Sequence, residues 1–346
     1  MDLLARILDP AMPPLIVAEM SGNHGGDLNK ALSLVFEAHR AGADAIKLQT
    51  YTPETITVAG TDRRFQLQSG LWKGQMLSDL YQRAMTPWEW HPLIAEEAAK
   101  WGLVCFSSPF DESAVGFLED SINPPIYKVA SFELNHFPML HRIGCTRKPV
   151  LASIGVSEGD EISKAIEVLT ESGCPQVILL HCVSEYPAKP SDFCLQKMPG
   201  IHREYGVPYG LSDHSLGHLI AVAGTALGAR VIEKHFCLDR EDDTSVDAAF
   251  SMTPTEFSEM VKAVKMTHQA ISGAQIPRAP AVYKRSILVS APILSGDLLG
   301  VNNIRIARPG DGLCPSRWEE VLGTRATKNM DVGHPLSEED FRTPAG

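Results

Sequence analysis

The chain has 346 residues, 44% of them hydrophobic and 21% charged, enough to bury a large core in one big domain or in one big and one small domain. Lys+Arg 31 against Asp+Glu 42 leaves a net charge of -11, which argues against nucleic acid or an anionic membrane as the main partner, so an anionic substrate must be drawn in by a local basic cluster. Seven cysteines, an odd number with no C-x-x-C pair, make reduced thiols in a cytoplasm the expectation, against a disulfide framework or a zinc ribbon.

The opening stretch, MDLLARILDP, carries two aspartates and breaks at proline, unlike a secretory signal. The longest apolar run, LIAVAGTALGA, is too short to span a bilayer and stops at Arg230. Eight short runs then recur in order: LIVAEM, AIKLQTY, LVCFSSPF, IYKVAS, VLASIG, VILLHCV, YGLSDH and VIEKHF. Each is four to eight residues long, nearly all apolar at its start and rich in Val and Ile, as expected for parallel strands covered on both faces.

Amphipathic segments lie between most of these runs. In LNKALSLVFEAHRAG the spacing predicts a helix with Leu28, Ala31, Leu32, Val35 and Phe36 on its buried face, stopping at Gly42. TPWEWHPLIAEEAAKWG reads as a helix with Thr86 as N-cap, Pro87 at N1 and Glu89 closing a capping box, ending on Gly102. SLGHLIAVAGTALG and TPTEFSEMVKAVKMTHQAISG repeat the pattern. Strand and helix alternating eight times predicts a (β/α)8 barrel over residues 1–272, with a doubly wound open sheet as the alternative.

One spacing is anomalous, because AIKLQTY and LVCFSSPF start some 58 residues apart, which marks residues 52–85 as an insertion. Long loops of this kind usually cover the substrate. GAQIPRAPAVYK, residues 273–284, reads as a proline-rich linker, and residues 285–346 as a small separate β-rich domain.

Barrel active sites lie at the carboxyl ends of the strands, so the last polar residues of each run are the candidates. They are Glu19, Asn23 and His24; Lys47 and Gln49; Ser107 and Ser108; Lys128, Ser131 and Glu133; Ser153; His181, Ser184 and Tyr186; Ser212, Asp213 and His214; Glu233, Lys234 and His235. Strands also end polar simply because water begins there, but two lysines, two acids and several histidines exceed what a solvated rim requires. His214 and His235 end adjacent strands, so their imidazoles are placed to converge on one divalent ion, Mn²⁺ before structural zinc, unless they are core or capped histidines. Glu19 would reach that ion directly or through its water, or act as a base. Lys47 and Lys128 with Ser108, Ser131 and Ser153 suit a carboxylate or phosphate; a Schiff base or a plain ion pair stays open for either lysine.

IVAEMSGNHGGDLNKALSLVFEAHRAGADAIKLQTYTPETIT, FSSPFDESAVGFLE, YKVASFE, GLSDHSLG, VIEKHF and VDAAFSMTPTEF resemble the sialic acid synthase family. KLQTYTPETIT, TPWEWH and VDAAFS are most similar to its pseudaminic acid synthase branch, and KRSILVSAPILSGDLL with RPGDG resembles that family's antifreeze-like SAF domain. The resemblance implies a TIM barrel that condenses phosphoenolpyruvate with an open-chain N-acetylated amino-sugar, here a diacetamido-trideoxy-altrose. It implies a divalent metal, usually Mn²⁺, with Mg²⁺ or Co²⁺ as alternatives, and a homodimer with a swapped SAF domain.

By motif, His214 and His235 match the metal ligands and Glu19 the carboxylate at the reacting centre. Lys47, Ser108, Lys128, Ser131, Ser153 and Ser212 match the groups around phosphoenolpyruvate. Gln49, Glu133, Tyr186, Asp247, Tyr283 and Arg308 match positions near the sugar, Arg308 reaching it across the dimer. Three departures from the family pattern, Ile154, Gly25 and Glu185, bear on the sugar more than on the reaction. N-acetylneuraminate or legionaminate synthesis is the alternative within the family. A metal-dependent barrel hydrolase would share the histidines but not need both lysines, and a carbohydrate- or ice-binding protein would show no metal-dependent turnover.

Overall fold

All eight apolar runs form strands of one parallel sheet: β1 Leu15–Glu19, β2 Ala45–Thr50, β3 Val104–Pro109, β4 Tyr127–Val129, β5 Val150–Ser153, β6 Val177–Cys182, β7 Tyr209–Asp213 and β8 Val231–His235. The order is β3-β2-β1-β8-β7-β6-β5-β4, with β1 bonded to β8 in register from Leu15↔Val231 to Glu19↔His235. β3 lies against β4 and brings the sheet round into a barrel, which an open doubly wound sheet would not do. The coordinates are a computed structural model that describes residues 2–242, 244–273 and 280–342.

Because strand side chains alternate, each strand sends one set inward and the other to the helices. Leu15, Val17, Ala45, Phe106, Leu151, Ile178, Leu180 and Val231 pack together inside the barrel, while Ile16, Ala18, Ile46, Leu48, Leu211 and Ile232 join the layer under the helices. Ile7, on the helix Leu3–Leu8, packs with the interior set. Truncating a fully buried Phe106 to alanine costs about 3–5 kcal/mol on general grounds. Gly210 lets β7 approach β8, since a Cβ there would stand 2.7 Å from the Val231 carbonyl oxygen.

The helices follow the expected order with two corrections. Leu28–Ala41 is capped by Asp27 and stops at Gly42 in the left-handed conformation, but its buried face is Ala31, Leu34, Val35, Ala38 and Ala41. Leu28, Leu32 and Phe36 are only half-buried, Phe36 packing on Trp101 at 4.8 Å. Thr86 does not cap a helix: its hydroxyl turns inward to His24 Nε2 at 3.1 Å, Trp88–Trp90 is a short 3-10 turn, and the α-helix runs His91–Lys100. A buried imidazole needs a partner more than the helix end, which water can satisfy. Thr253 does form the capping box with Glu256 at the start of Pro254–Ser272.

The insertion, 52–85, contains the helices Pro53–Ile56 and Leu77–Ala84 and a turn bridged by Gln66 and Met76. The chain divides into the units Met1–Gly273 and Ala274–Gly346. Of the expected linker 273–284, residues 274–279 lie outside the described residues, as do 343–346 of the C-terminal domain. In the second unit β9 Ser286–Val289 pairs antiparallel with β10 Ile304–Ala307, and β11 Arg325–Ala326 with β12 Phe341–Arg342, around Ile287, Ile293, Leu299, Ile304, Val321 and Leu336.

Candidate active site at the barrel mouth

The period-2 alternation that places Leu15 and Val17 inside carries Glu19 inward too, and likewise Lys47 and Gln49 after Ala45, Ser108 after Phe106, Ser153 after Leu151, and Glu233 and His235 after Val231. The other phase explains the rim residues that leave the site. His181 Nε2 bonds the Phe193 carbonyl at 2.5 Å, Ser107 bonds Thr50, and Lys234 pairs with Asp213. His24 faces Thr86, and Asn23 donates to the Phe236 carbonyl.

The first cluster is ionic. Lys47 Nζ stands 2.6 Å from Glu19 Oε2 and 3.6 Å from Glu233 Oε1, and it donates to Ser108 Oγ at 3.3 Å. Lys128 Nζ is 2.7 Å from Glu233 Oε1, which also accepts from Ser212 Oγ at 3.3 Å. Burial raises the Glu19 carboxyl above its ordinary value, against the pull of Lys47. Burial would raise Glu233 as well, but Lys128 and Lys47 together hold it at about 2. Burial would depress the Lys47 ammonium, yet Glu19 and Glu233 outweigh it and hold it above its ordinary value. Burial wins at Lys128, which Lys47 also repels, so its pKa is lowered. The two carboxyls, beside one pair of lysines, are thus driven in opposite directions.

Beside the lysines, Ser131 Oγ accepts from the Gly155 N–H at 2.9 Å, and Ser153 Oγ is buried without a hydrogen-bond partner. Donors left over beside two ammonium groups are the chemistry an anion requires.

The second cluster is built on imidazole. The His214 and His235 rings are 5.3 Å apart, and both side chains are buried. His214 Nδ1 bonds the Val183 carbonyl at 2.8 Å, which leaves its Nε2 free to ligate. His235 Nδ1 has no hydrogen-bond partner and lies 3.7 Å from Asp247 Oδ2. Burial, then the neighbouring His214, drives the His235 pKa well down and keeps it a neutral donor. Burial pushes Asp247 up to about 6, and Ser21 donates to it. Among the described residues no three or more His, Cys, Asp or Glu side chains are disposed as a ready-made metal shell. The chemistry of the two imidazoles fits a divalent ion, which His214 and His235 would hold.

A continuous chain of contacts joins the two clusters. From Lys47 it passes to Glu19, whose Oε1 accepts from Gln49 Nε2 at 2.9 Å, then to Ser21 Oγ at 3.1 Å from that nitrogen, then to Asp247 and His235. Glu133 stands at the same rim, with Oε2 unpartnered and its pKa pushed up to about 7 by burial. Tyr186 packs on His214 with ring centres 4.5 Å apart. Tyr283 and Arg308 belong to the second unit, where both are exposed and Arg308 Nε donates to the Tyr283 carbonyl at 2.8 Å.

Sequence reasoning missed Ser21, Gly155 and Phe250 as members of this site and gave no role to Glu233. Glu233 was recoverable, being two residues before His235 on one strand. Phe250, 4.8 Å from His235, lies in a turn with no periodic signal. Of the departures, Gly25 has φ +58 and a Cβ there would meet Thr244 Oγ1 at 2.4 Å, so a side chain would be strained and Thr244 would have to shift. Ile154 packs into the apolar layer, and Glu185 is exposed.

The NeuB family model matches residues 34–275, and the SAF domain model residues 284–342. The chain is 40% identical over 332 residues to a pseudaminic acid synthase of Campylobacter jejuni subsp. jejuni serotype O:23/36, covering 94% of this chain and 96% of that protein. It is 40% identical over 336 residues to the pseudaminic acid synthase of Helicobacter pylori, covering 95% and 98%. Among solved structures, the N-acetylneuraminic acid synthetase of Leptospira borgpetersenii serovar Hardjo-bovis matches with TM-score 0.69 at 30% identity, over 78% of this chain and 88% of that one.

Proposed function

The chain belongs to the NeuB family, and from that premise we propose that it is a pseudaminic acid synthase, joining phosphoenolpyruvate, a diacetamido-trideoxy-altrose in its open aldehyde form and water into a nonulosonic acid with release of phosphate. The observation that carries the reading is the contact chain from Lys47 through Glu19, Gln49, Ser21 and Asp247 to His235, which couples an anion-binding cluster to a carbonyl-facing one.

The reaction makes two opposed demands. A trianion must be held, and an aldehyde oxygen must be polarised. Lys47 and Lys128, with the hydroxyls of Ser108, Ser131, Ser153 and Ser212, meet the first by charge and directed donors. A divalent ion on His214 and His235, Mn²⁺ before Mg²⁺ or Co²⁺, supplies Lewis acidity to the aldehyde when bound. The enol carbon of phosphoenolpyruvate forms the new bond to the aldehyde carbon, water adds at the phosphate-bearing carbon, and that carbon's bond to the phosphate oxygen breaks to leave a ketone; of the water's two protons, one ends on the former aldehyde oxygen and the other leaves with the phosphate. Glu19, kept protonatable by burial, takes the proton of the adding water, while Glu233 stays ionised and fixes both ammonium groups. Glu133, Gln49, Asp247 and Tyr186 orient the sugar.

The assembly we propose is a homodimer in which Arg308 and Tyr283 of one subunit serve the sugar in its partner, as the family resemblance implies. A cytoplasmic site is supported by seven free cysteines, and among the described residues no helix is long and apolar enough to cross a membrane. The test is phosphate release from phosphoenolpyruvate with Mn²⁺ and a panel of N-acetylated aldoses. Release with the diacetamido-trideoxy sugar above the others supports the reading. Preference for N-acetylmannosamine, or release with no aldose, overturns it.

A further inference from the structure

We infer that Trp72 is a specificity-determining residue, its indole forming the outer layer of an aromatic wall that receives the deoxygenated, acetamido-bearing end of the acceptor. The inference rests on the acceptor class proposed above and names the residue that reads it. Trp72 belongs to the insertion, not to the barrel strands. It sits in a turn held by Leu67 N–H to Gln75 carbonyl at 2.9 Å and Gly74 N–H to Leu67 carbonyl at 2.8 Å.

The ring is placed by two other segments at once. Its centre is 5.7 Å from that of Tyr186, in the loop after β6, and 6.2 Å from that of Phe250, in the turn after β8. Those two rings are the ones against the histidines, Tyr186 at 4.5 Å from His214 and Phe250 at 4.8 Å from His235. Trp72 therefore stands one aromatic layer beyond the two histidines. Its only polar atom is already committed, because Nε1 donates to the Val246 carbonyl at 3.0 Å.

A hydroxyl pressed against these ring faces loses its water and gains no partner, which costs about 1–3 kcal/mol, whereas a methyl or an acetamido methyl gains contact. Converted to rates, that is a preference of roughly 5- to 150-fold for the deoxygenated sugar.

The test compares kcat/KM for a diacetamido-trideoxy aldose and for N-acetylmannosamine, with phosphoenolpyruvate and Mn²⁺, in the full chain and in Trp72→Ala, Trp72→Gln and Trp72→Phe. Trp72→Gln keeps a donor for the Val246 carbonyl but removes the apolar face. Trp72→Phe does the reverse. Trp72→Ala and Trp72→Gln are expected to lower the ratio of the two values at least about 5-fold with the phosphoenolpyruvate KM unchanged, and Trp72→Phe to keep it. An equal loss for both sugars, a parallel rise in the phosphoenolpyruvate KM, or loss of the ratio in Trp72→Phe alone would mean the indole only fastens the loop, and would overturn the inference. A wild-type chain inactive with every aldose removes the functional reading itself, whereas an active one with an unmoved ratio removes only the role of Trp72.

Discussion

Lys234 Nζ stands 2.7 Å from Asp213 Oδ2, with both side chains wholly buried on the outer face of the barrel, and each is one residue along the chain from a histidine of the candidate site. The two are register partners on β7 and β8, and Lys234 also donates to the Ser215 carbonyl at 2.5 Å. The pair thus ties the two strands together at the level where His214 and His235 project inward. Removing one member leaves an uncompensated buried charge, so Asp213→Ala is expected to lose about 3–5 kcal/mol in urea unfolding. The double exchange Asp213→Leu with Lys234→Met should recover most of it. A single variant as stable as the wild type would show that the pair does not fasten these strands.

At the inner face the expectation concerns ligation. His214→Ala and His235→Ala each remove half of a two-imidazole platform, and several kcal/mol of carbonyl polarisation correspond to about a 10³-fold fall in turnover. Both should also lose Mn²⁺ binding measured by calorimetry in the absence of substrates. Retained Mn²⁺ binding and normal turnover in both variants would remove the metal from the site.

Lys128 is expected to act on phosphoenolpyruvate and not on the sugar. Its ammonium is 2.7 Å from Glu233 and repelled by Lys47, so an arriving anion gains a charge-assisted bond worth about 1.5–3 kcal/mol. Lys128→Met should therefore raise the phosphoenolpyruvate KM by roughly 10- to 100-fold and leave the sugar KM nearly unchanged. Equal effects on the two substrates in steady-state kinetics would contradict the division of the site into two clusters.

How much of this was legible follows from periodicity. The eight strands announced themselves because a parallel strand buried on both faces must be nearly all apolar, and their polar ends then named Glu19, Lys47, Lys128, Ser153, His214 and His235. The same alternation, carried two residues at a time, would also have assigned Glu233 inward and Asp213, Lys234 and His181 outward. Thr86 misled because a capping box is a local signal, while the buried His24 that claims its hydroxyl is 62 residues away. Trp72 had only the signal of the insertion that carries it and Phe250 had none, since their meeting depends on where two loops fold back over the barrel.

The last expectation is acid sensitivity arising away from the reacting centre. His24 and His91 are buried, and burial drives both pKa values down from 6.5 to about 4, with Lys30 adding to the effect at His24. His91 Nε2 meets Thr50 Oγ1 at 2.8 Å and His24 Nε2 meets Thr86 Oγ1 at 3.1 Å, so each ring is held neutral within the layer behind the rim. With the folded value below the unfolded one, the unfolded chain binds more protons between pH 6.5 and about 4. Stability from these groups is then complete above pH 6.5 and falls as pH drops toward 4, by up to about 3 kcal/mol for each ring. His91→Gln keeps a hydrogen-bonding group but cannot titrate, so its unfolding free energy should decline less steeply over that interval than the wild type's. Urea midpoints at pH 7, 6, 5 and 4 measure it, and parallel curves for the two proteins would place the acid sensitivity elsewhere.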